Sequence, residues 1–390
     1  MGAVAFAWEL GNNLGHIARD LPVALALRAR GHSVYFASRN LGQANEVLAP
    51  LAFTCVQAPR LILPRLPFTP SSYAEILLAN GYGNVSAVNL LVAAWQRVIK
   101  DRNADIVICN HAPSAALASH CADIPMVATC IGFELPPVSP QAFRTWDPPP
   151  VKRVMAAEQL VCKTTSQALT GSGRASIESI AELFQSTSVL MTTFPELDHY
   201  GPREGLEYVG PVSHLPSRPY DWPTGLRKRV FAYLRRTVPN IEAILSGLAL
   251  SSFDTLCVMP DHSPAELQKH EGRRFRMQRN TVDISSALEG CDLVVTYGTG
   301  TIHEALLAGR PLLMCPQNAE QYMVSSQVVR LGAGLMLPVG ASATAIADTI
   351  SILLSDPSFS GAARAFAEGY AAFSSDSAIA KIVNVIESRL

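Results

Sequence analysis

The residues best placed to do chemistry fall within residues 292–321, which read DLVVTYGTGTIHEALLAGRPLLMCPQNAEQ. A short apolar run ends in Tyr297-Gly298-Thr299-Gly300-Thr301, and a helical pattern follows through Ala308, with Gly309 placed to stop it. Gly298 and Gly300 let the backbone come close to a ligand. A helix opening near Thr301 offers unpaired N–H groups and a positive dipole end, which suit a phosphate. The Thr301 hydroxyl adds a donor. Glu304, one turn further on, is in reach of ribose hydroxyls. Glu320 and Gln321 follow the next apolar run, 311–315, and so fall on the same carboxyl edge of a sheet, where open α/β sheets bind ligands. The competing reading is a tight turn that only packs the sheet. The second polar cluster, one strand later, favours a binding site.

Such a turn must be held by parallel strands alternating with helices, and the chain has that rhythm from its start. Residues 4–8 predict a strand, 11–16 a polar glycine turn, 17–30 a helix with Ile17, Leu21, Ala24 and Leu25 on one face, and 33–37 a second strand. This βαβ opening implies a parallel sheet. It lacks G-x-G-x-x-G and an acid after the second strand, so a dinucleotide site is not indicated. Further strands are expected at 104–109, 125–129 and 188–192, and helices at 75–100 (interrupted at Gly81–Gly83), 114–121 and 151–187. Residues 60–73 are Pro-rich and read as a loop. The stretch 214–227 holds Pro216, Pro219 and Pro223 and reads as a semi-rigid linker. The alternation then restarts: strands at 229–234, 255–259 and 275–278, helices at 240–248, 263–270 and 341–355, and a helical tail over 362–390.

The bulk numbers agree with two ordinary α/β domains. The chain has 390 residues, 48% hydrophobic and 16% charged, which supports large buried cores and argues against disorder. A formal net charge of −1 argues against a nucleic-acid partner. Eight cysteines are scattered with no C-x-x-C pair, so neither a zinc site nor a redox pair is indicated, and a reducing, cytoplasmic setting fits. No run of about 18 uncharged apolar residues exists, so no transmembrane segment is expected; peripheral membrane contact stays open.

Residues 292–321 resemble the donor-binding half of the UDP-glycosyltransferase-like superfamily, in its bacterial macrolide and natural-product branch. The family pattern there is His-Gly-Gly-x-Gly/Asn-Ser/Thr-x-x-Glu-Ala-Leu, then Gly-x-Pro, a strand, Pro and an Asp/Glu-Gln pair. The chain departs from it in two ways: Tyr297 stands where the family has His, and the glycine turn is one residue short. A second match lies at the other end, where Gly15-His16 and Arg30-Gly31-His32 correspond to the family's Gly-His before the first helix and Arg-Gly-His after it.

The resemblance implies a GT-B fold: two Rossmann-like doubly wound parallel-sheet domains facing across a cleft. The expected divisions are 1–213 for the acceptor domain, 214–228 for the linker, 229–365 for the donor domain, and 366–390 for a C-terminal helix that crosses back. It makes His16 the catalytic base. The family's Asp partner of that His corresponds here to Asn110, which can orient an imidazole but cannot stabilise its cation by charge; the alternatives are a weakened dyad, or a share of the role for His111 or Glu134. The donor set it implies is Arg235, Gln278, Tyr297, Gly298, Thr299, Gly300, Thr301, Glu304, Glu320 and Gln321. Arg235 there takes the place of a Gly-Ser turn, guanidinium groups being suited to phosphate oxygens. Asn13, His111, Phe133, Glu134 and Trp146 are candidates for the acceptor side.

The activity implied is an inverting, metal-independent transfer of a sugar from a UDP- or dTDP-sugar, used as a co-substrate with no other cofactor, to a hydroxyl of a small apolar acceptor. No Asp-x-Asp metal motif is present, and a monomer or homodimer is expected. Two other readings stay in play: a nucleotide-sugar epimerase of the same fold, which would need more cleft-edge carboxylates and histidines, and a non-catalytic nucleotide-sugar-binding protein.

Overall fold

The structure is a computed structural model that describes every residue except 12–13, 65, 145–148, 186, 213–217 and 264–269. The residues at 13 and 146 and the expected helix at 263–270 lie outside the described residues. The chain divides into two compact units, one of Met1–His214 with Ser374–Leu390 and one of Leu215–Phe373.

In the first unit the strands are β1 (Ala3–Trp8), β2 (Ser33–Ser38), β3 (Thr54–Gln57), β4 (Ile106–Asn110), β5 (Met126–Cys130), β6 (Ser188–Met191) and β7 (Glu207–Tyr208). They form one parallel sheet in the order β3-β2-β1-β4-β5-β6-β7. Strands covered on both faces read as near-continuous apolar runs, and β4 and β5 are buried at every position. Helices α1 (Gly15–Ala29), α2 (Leu41–Leu48), α3 (Tyr73–Leu77), α4 (Val85–Lys100), α5 (Pro113–Ala122), α6 (Val151–Gly171) and α7 (Glu182–Gln185) make the crossovers.

The second unit repeats the plan with β8 (Arg229–Tyr233), β9 (Asp254–Val258), β10 (Phe275–Gln278), β11 (Leu293–Thr296), β12 (Leu312–Met314) and β13 (Gly334–Met336), in the parallel order β10-β9-β8-β11-β12-β13. Its helices are α8 (Ile241–Leu250), α9 (Ile284–Glu289), α10 (Thr299–Leu307), α11 (Ala319–Arg330), α12 (Ala343–Ser355) and α13 (Pro357–Gly369). The last helix, α14 (Ser375–Glu387), belongs to the first unit, where Glu387 accepts from Arg30 (2.6 Å) and pairs with His32 (3.1 Å). The two doubly wound parallel sheets make the fold GT-B.

Two expected helices are shorter than their apolar patterns suggest. The one at 151–187 stops at Gly171; Gly173 follows at φ +76°, in the left-handed region that favours glycine, and only α7 resumes the pattern. The tail is two helices: Ser374 breaks it by capping α14, its hydroxyl accepting from the Ser377 amide. At 75–100, the expected interruption falls at Gly81, whose φ is +103°.

In each sheet the chain reverses its winding direction between neighbouring strands, β1 and β4 in the first and β8 and β11 in the second. Ligands of open α/β sheets bind outside the carboxyl ends of such strands. Trp8 pairs with Asn110 at one switch point and Tyr233 with Thr296 at the other. These two pairs fix where the candidate residues emerge.

Candidate functional site

At the first switch point, the Leu10 amide donates to the His111 carbonyl at 2.9 Å and ties the two strand ends together. His16 opens α1 directly above them, and its ring stacks on Trp8 at 5.1 Å between centroids. Its Nδ1 lies 2.8 Å from Asn110 Oδ1. The amide cannot turn over, because Asn110 Nδ2 donates to the His16 carbonyl at 3.1 Å and Arg19 donates to Oδ1. An oxygen therefore faces Nδ1, which sets the tautomer with the proton on Nδ1 and the lone pair on Nε2. Gly11 has φ +85°, and any side chain there would run into His16 Nε2, so only glycine lets the backbone pass this close to that nitrogen.

Behind the pair is a buried charge cluster that the sequence reading only partly found. Arg19 Nη2 donates to Glu134 Oε1 at 2.9 Å and lies 2.8 Å from Oε2, and the Ile131 amide donates to Oε2 at 2.8 Å. Glu134 Oε1 lies 3.6 Å from His16 Nδ1. Burial pushes the Glu134 carboxyl up, but the Arg19 guanidinium, with His111 and His16 behind it, outweighs burial and holds it below the usual carboxylate range. Asp20 is buried beside Arg19 and hydrogen-bonds Asn110; burial, countered in part by Arg19, pushes it up to about 7. Arg19 and Asp20 were missed by the sequence reading. Their signal was their spacing, i+3 and i+4 from His16 on an otherwise apolar helix face.

The proposed acceptor residues are less open than expected. His111 stacks against His16 and Tyr73, each at 5.9 Å, and burial lowers it to about 3, so it is neutral. Phe133 packs on Phe143 at 4.9 Å and is buried, as Glu134 is. A cavity of about 520 Å³ lies nearer the surface, in the Pro-rich stretch, lined by Leu63, Leu66, Phe68, Thr69 and Ala79. That stretch runs on to Tyr73, which packs against His111.

Glu9, which follows β1, is another buried carboxyl outside the expected set. It accepts from the Ser114 amide at 2.8 Å and hydroxyl at 2.5 Å, so it caps α5, and burial raises it to about 7. The ligand atoms of His16, His111 and Glu134 fall within 4.8 Å of one another, a spacing that metal ions use. Arg19 already occupies both Glu134 oxygens, so an ion would have to displace a buried guanidinium.

At the second switch point, the helix begins at Thr299, two residues before the start expected near Thr301, so Gly300 falls in its first turn. Gly298 precedes α10 with no side-chain cap, so the Thr299, Gly300 and Thr301 amides begin the helix without one. By contrast, Asp283 caps α9 and Asn318 caps α11. A side chain at Gly298 or Gly300 would meet only open space. Thr299 Oγ1 donates to Glu320 Oε1, joining the turn to the start of α11. Gln321 is buried and folds back, its Oε1 accepting from the Gln317 amide at 2.8 Å. Glu304 is half-buried; burial, with Asp283 adding repulsion, raises it to about 7. Thr301 is buried in the first turn. Tyr297 departs from an open donor contact: its ring belongs to the core of the unit, and its hydroxyl, like that of Tyr233, bonds Arg235. Arg235 Nε is buried without a hydrogen-bond partner. Gln278, last in β10, turns its amide to the Asn280 carbonyl at 2.9 Å.

Among the described residues, no single helix is long and apolar enough to cross a membrane. Residues 268–386 match the family model described as erythromycin biosynthesis protein CIII-like, C-terminal domain. A PGL/p-HBAD biosynthesis glycosyltransferase of Mycobacterium tuberculosis is 23% identical over 388 residues, spanning 92% of this chain and 86% of the relative. The calicheamicin glycosyltransferase CalG4 has the same fold at a TM-score of 0.72 and 18% identity, covering 100% of this chain and 98% of its own. The glycosyltransferase VinC, solved in complex with dTDP, matches at 0.67 and 17%, over 99% and 100% of the two chains. The spinosyn rhamnosyltransferase SpnG matches at 0.67 and 18%, over 98% and 100%.

Proposed function

We propose that this GT-B glycosyltransferase inverts the anomeric centre, works without a metal ion, and moves a sugar from a UDP- or dTDP-sugar to a hydroxyl of a small apolar acceptor. The observation that carries this reading is the pinned imidazole. Asn110 holds the proton on His16 Nδ1, which leaves Nε2 to take a proton from an acceptor hydroxyl. As that proton moves to Nε2, the acceptor oxygen bonds to the anomeric carbon and the bond from that carbon to the diphosphate breaks. The leaving diphosphate takes the electron pair.

The second unit has the groups to receive that charge. The uncapped first turn of α10, open above Gly298 and Gly300, presents backbone N–H groups and a positive dipole end. Arg235, half-buried and bonded to the Tyr233 and Tyr297 hydroxyls, carries the guanidinium suited to a phosphate oxygen. The open pocket beside Phe68, lined by leucine, proline and phenylalanine side chains together with Thr69, supports a partly apolar acceptor. Nucleotide choice follows the likeness to VinC, whose structure holds dTDP.

The test is direct. The purified protein is incubated with dTDP- and UDP-sugars and a panel of phenolic and macrolactone acceptors, and the anomeric configuration of any product is read by NMR. Inversion supports the reading; a retained configuration, or epimerised donor without acceptor, overturns it.

A further inference from the structure

We propose that Glu134, clamped by Arg19, is the anionic partner of His16, so that the two jobs of a single aspartate are divided here between a neutral residue and a charged one. This rests on His16 being the base. Asn110 fixes the ring and its tautomer, as described, but an amide carries no charge to balance an imidazolium. Glu134 Oε1 is 3.6 Å from the same nitrogen that Asn110 contacts, and it is an ionised carboxylate in a buried setting, where charges interact strongly.

The fold works to hold Glu134 there. It closes the turn Gly132–Glu134 after β5, where the Ile131 amide donates to its Oε2. Gly132 is required, since a side chain would collide with the Asp198 carboxylate and the His199 amide. Asp198 is itself fixed by Arg203, whose guanidinium also donates to the Leu135 carbonyl at 2.7 Å and the Gly132 carbonyl at 3.4 Å. On the other side, Arg19 comes from the same helix as His16, one turn on. Two independent elements thus bring one carboxylate to the far side of the imidazole from the substrate nitrogen.

Among the described residues, Arg19 and Asp20 of α1, neutral His111 of the turn after β4 and Glu134 of the turn after β5 bear on the ring's protonation. Arg19 offsets part of the carboxylate's field. It is also what keeps Glu134 ionised despite burial, so removing Arg19 is not equivalent to strengthening the pair. Asp20 faces Asn110 rather than the ring.

The experiment needs no substrate for its main readout. Protein labelled with ¹⁵N-histidine is titrated by NMR, with the His16 signal identified by its loss in His16→Ala. An opposite charge at this range raises an imidazole pKa by about 1 unit or more, so Glu134→Gln should lower the His16 value by about that amount. Adding Asn110→Asp to the Glu134→Gln protein should bring it back, because charge is restored beside Nδ1. A merely structural Glu134 would leave the His16 value unchanged when Glu134→Gln removes the charge and keeps the shape. Circular dichroism and dTDP binding check that each variant is folded; if Glu134→Gln does not fold, Glu134→Asp, which withdraws the charge by one methylene, serves in its place with a smaller fall. A His16 pKa unchanged by these substitutions, or a fall that Asn110→Asp does not reverse, overturns the proposal. Failure of the base assignment would look different: His16→Ala would still turn over, whatever the titration gave.

Discussion

Asn110 and His16 grip each other at both ends: the amide oxygen meets Nδ1 at 2.8 Å while the amide nitrogen reaches the His16 carbonyl at 3.1 Å. The second contact makes the first directional, because a flipped amide would lose it. A side chain that cannot ionise thus dictates which ring nitrogen carries the proton. His16→Ala should lower turnover by about 10²- to 10⁴-fold, the range of a positioned base. Donor affinity should stay, since the donor candidates lie in the other unit. Turnover with calorimetry on dTDP checks both, and a variant as active as the parent discards the base.

The glycines of the donor turn give a cleaner separation of binding from stability. Neither Gly298 nor Gly300 has a left-handed φ, and neither would push a new methyl into protein. Gly300 sits in the first turn of α10, where alanine is better by up to about 1 kcal/mol in helix propensity. Gly300→Ala should therefore melt no lower than the parent yet bind dTDP and UDP more weakly. Equal affinity in a well-folded Gly300→Ala protein would mean that no phosphate approaches this backbone.

The bond from Thr299 to Glu320 joins the two polar clusters that the sequence places on one sheet edge. Glu320→Ala should release the Thr299 hydroxyl and loosen the turn. A net hydrogen bond is worth about 1 kcal/mol, which is about fivefold in affinity. Calorimetry with dTDP should show that loss in Glu320→Ala and in Thr299→Val alike, with no further loss in the double variant. Additive losses would show that the two residues act separately.

What was legible in the sequence tracks how local the signal is. The parallel sheets follow from apolar runs and glycine turns, and the Gly298–Thr301 turn from residues adjacent in the chain. His16 and Asn110 are 94 residues apart, and only the register of Trp8 against Asn110 brings them together. Glu134 read both as an acceptor-side residue and as one of two that could share the missing aspartate's role, because its clamp depends on Arg19, 115 residues away. Tyr297 read as a donor contact because a turn's sequence does not say which way its first side chain points; here the core takes the ring.

Three carboxyls, Glu9 and Asp20 buried and Glu304 half-buried, should shape stability against pH. Glu9, Asp20 and Glu304 are each raised by burial to about 7 from ordinary values of 4.5, 3.8 and 4.5. A group with a raised folded-state pKa binds more protons when folded, so its contribution is complete below the unfolded value and is lost as pH rises through the folded one. Melting temperature should therefore fall between about pH 4.5 and 7 through these groups, while Glu134, which is lowered, works in the opposite sense at lower pH. Glu9→Gln keeps an acceptor for Ser114 and should flatten that fall. The same slope in parent and Glu9→Gln would remove Glu9 from the account.

Chelation tests the metal-free reading, and the geometry says what to expect. The one place among the described residues where three metal-type ligand atoms converge is His16, His111 and Glu134. Arg19 holds both carboxylate oxygens there, and Asn110 holds His16 Nδ1. An ion would have to break these buried contacts, and leaving a buried charge without its partner costs about 3–5 kcal/mol. In the proposed reading, the charge on a diphosphate is met instead by the helix N–H groups after Gly298 and by Arg235. Transfer should therefore run at the same rate in EDTA as in buffer. A rate abolished by EDTA and restored by Mg²⁺ or Mn²⁺ would place an ion on the diphosphate and displace Arg235 from that role; one restored only by Zn²⁺ would point to His16 and His111, and the imidazole would then be a ligand rather than a base.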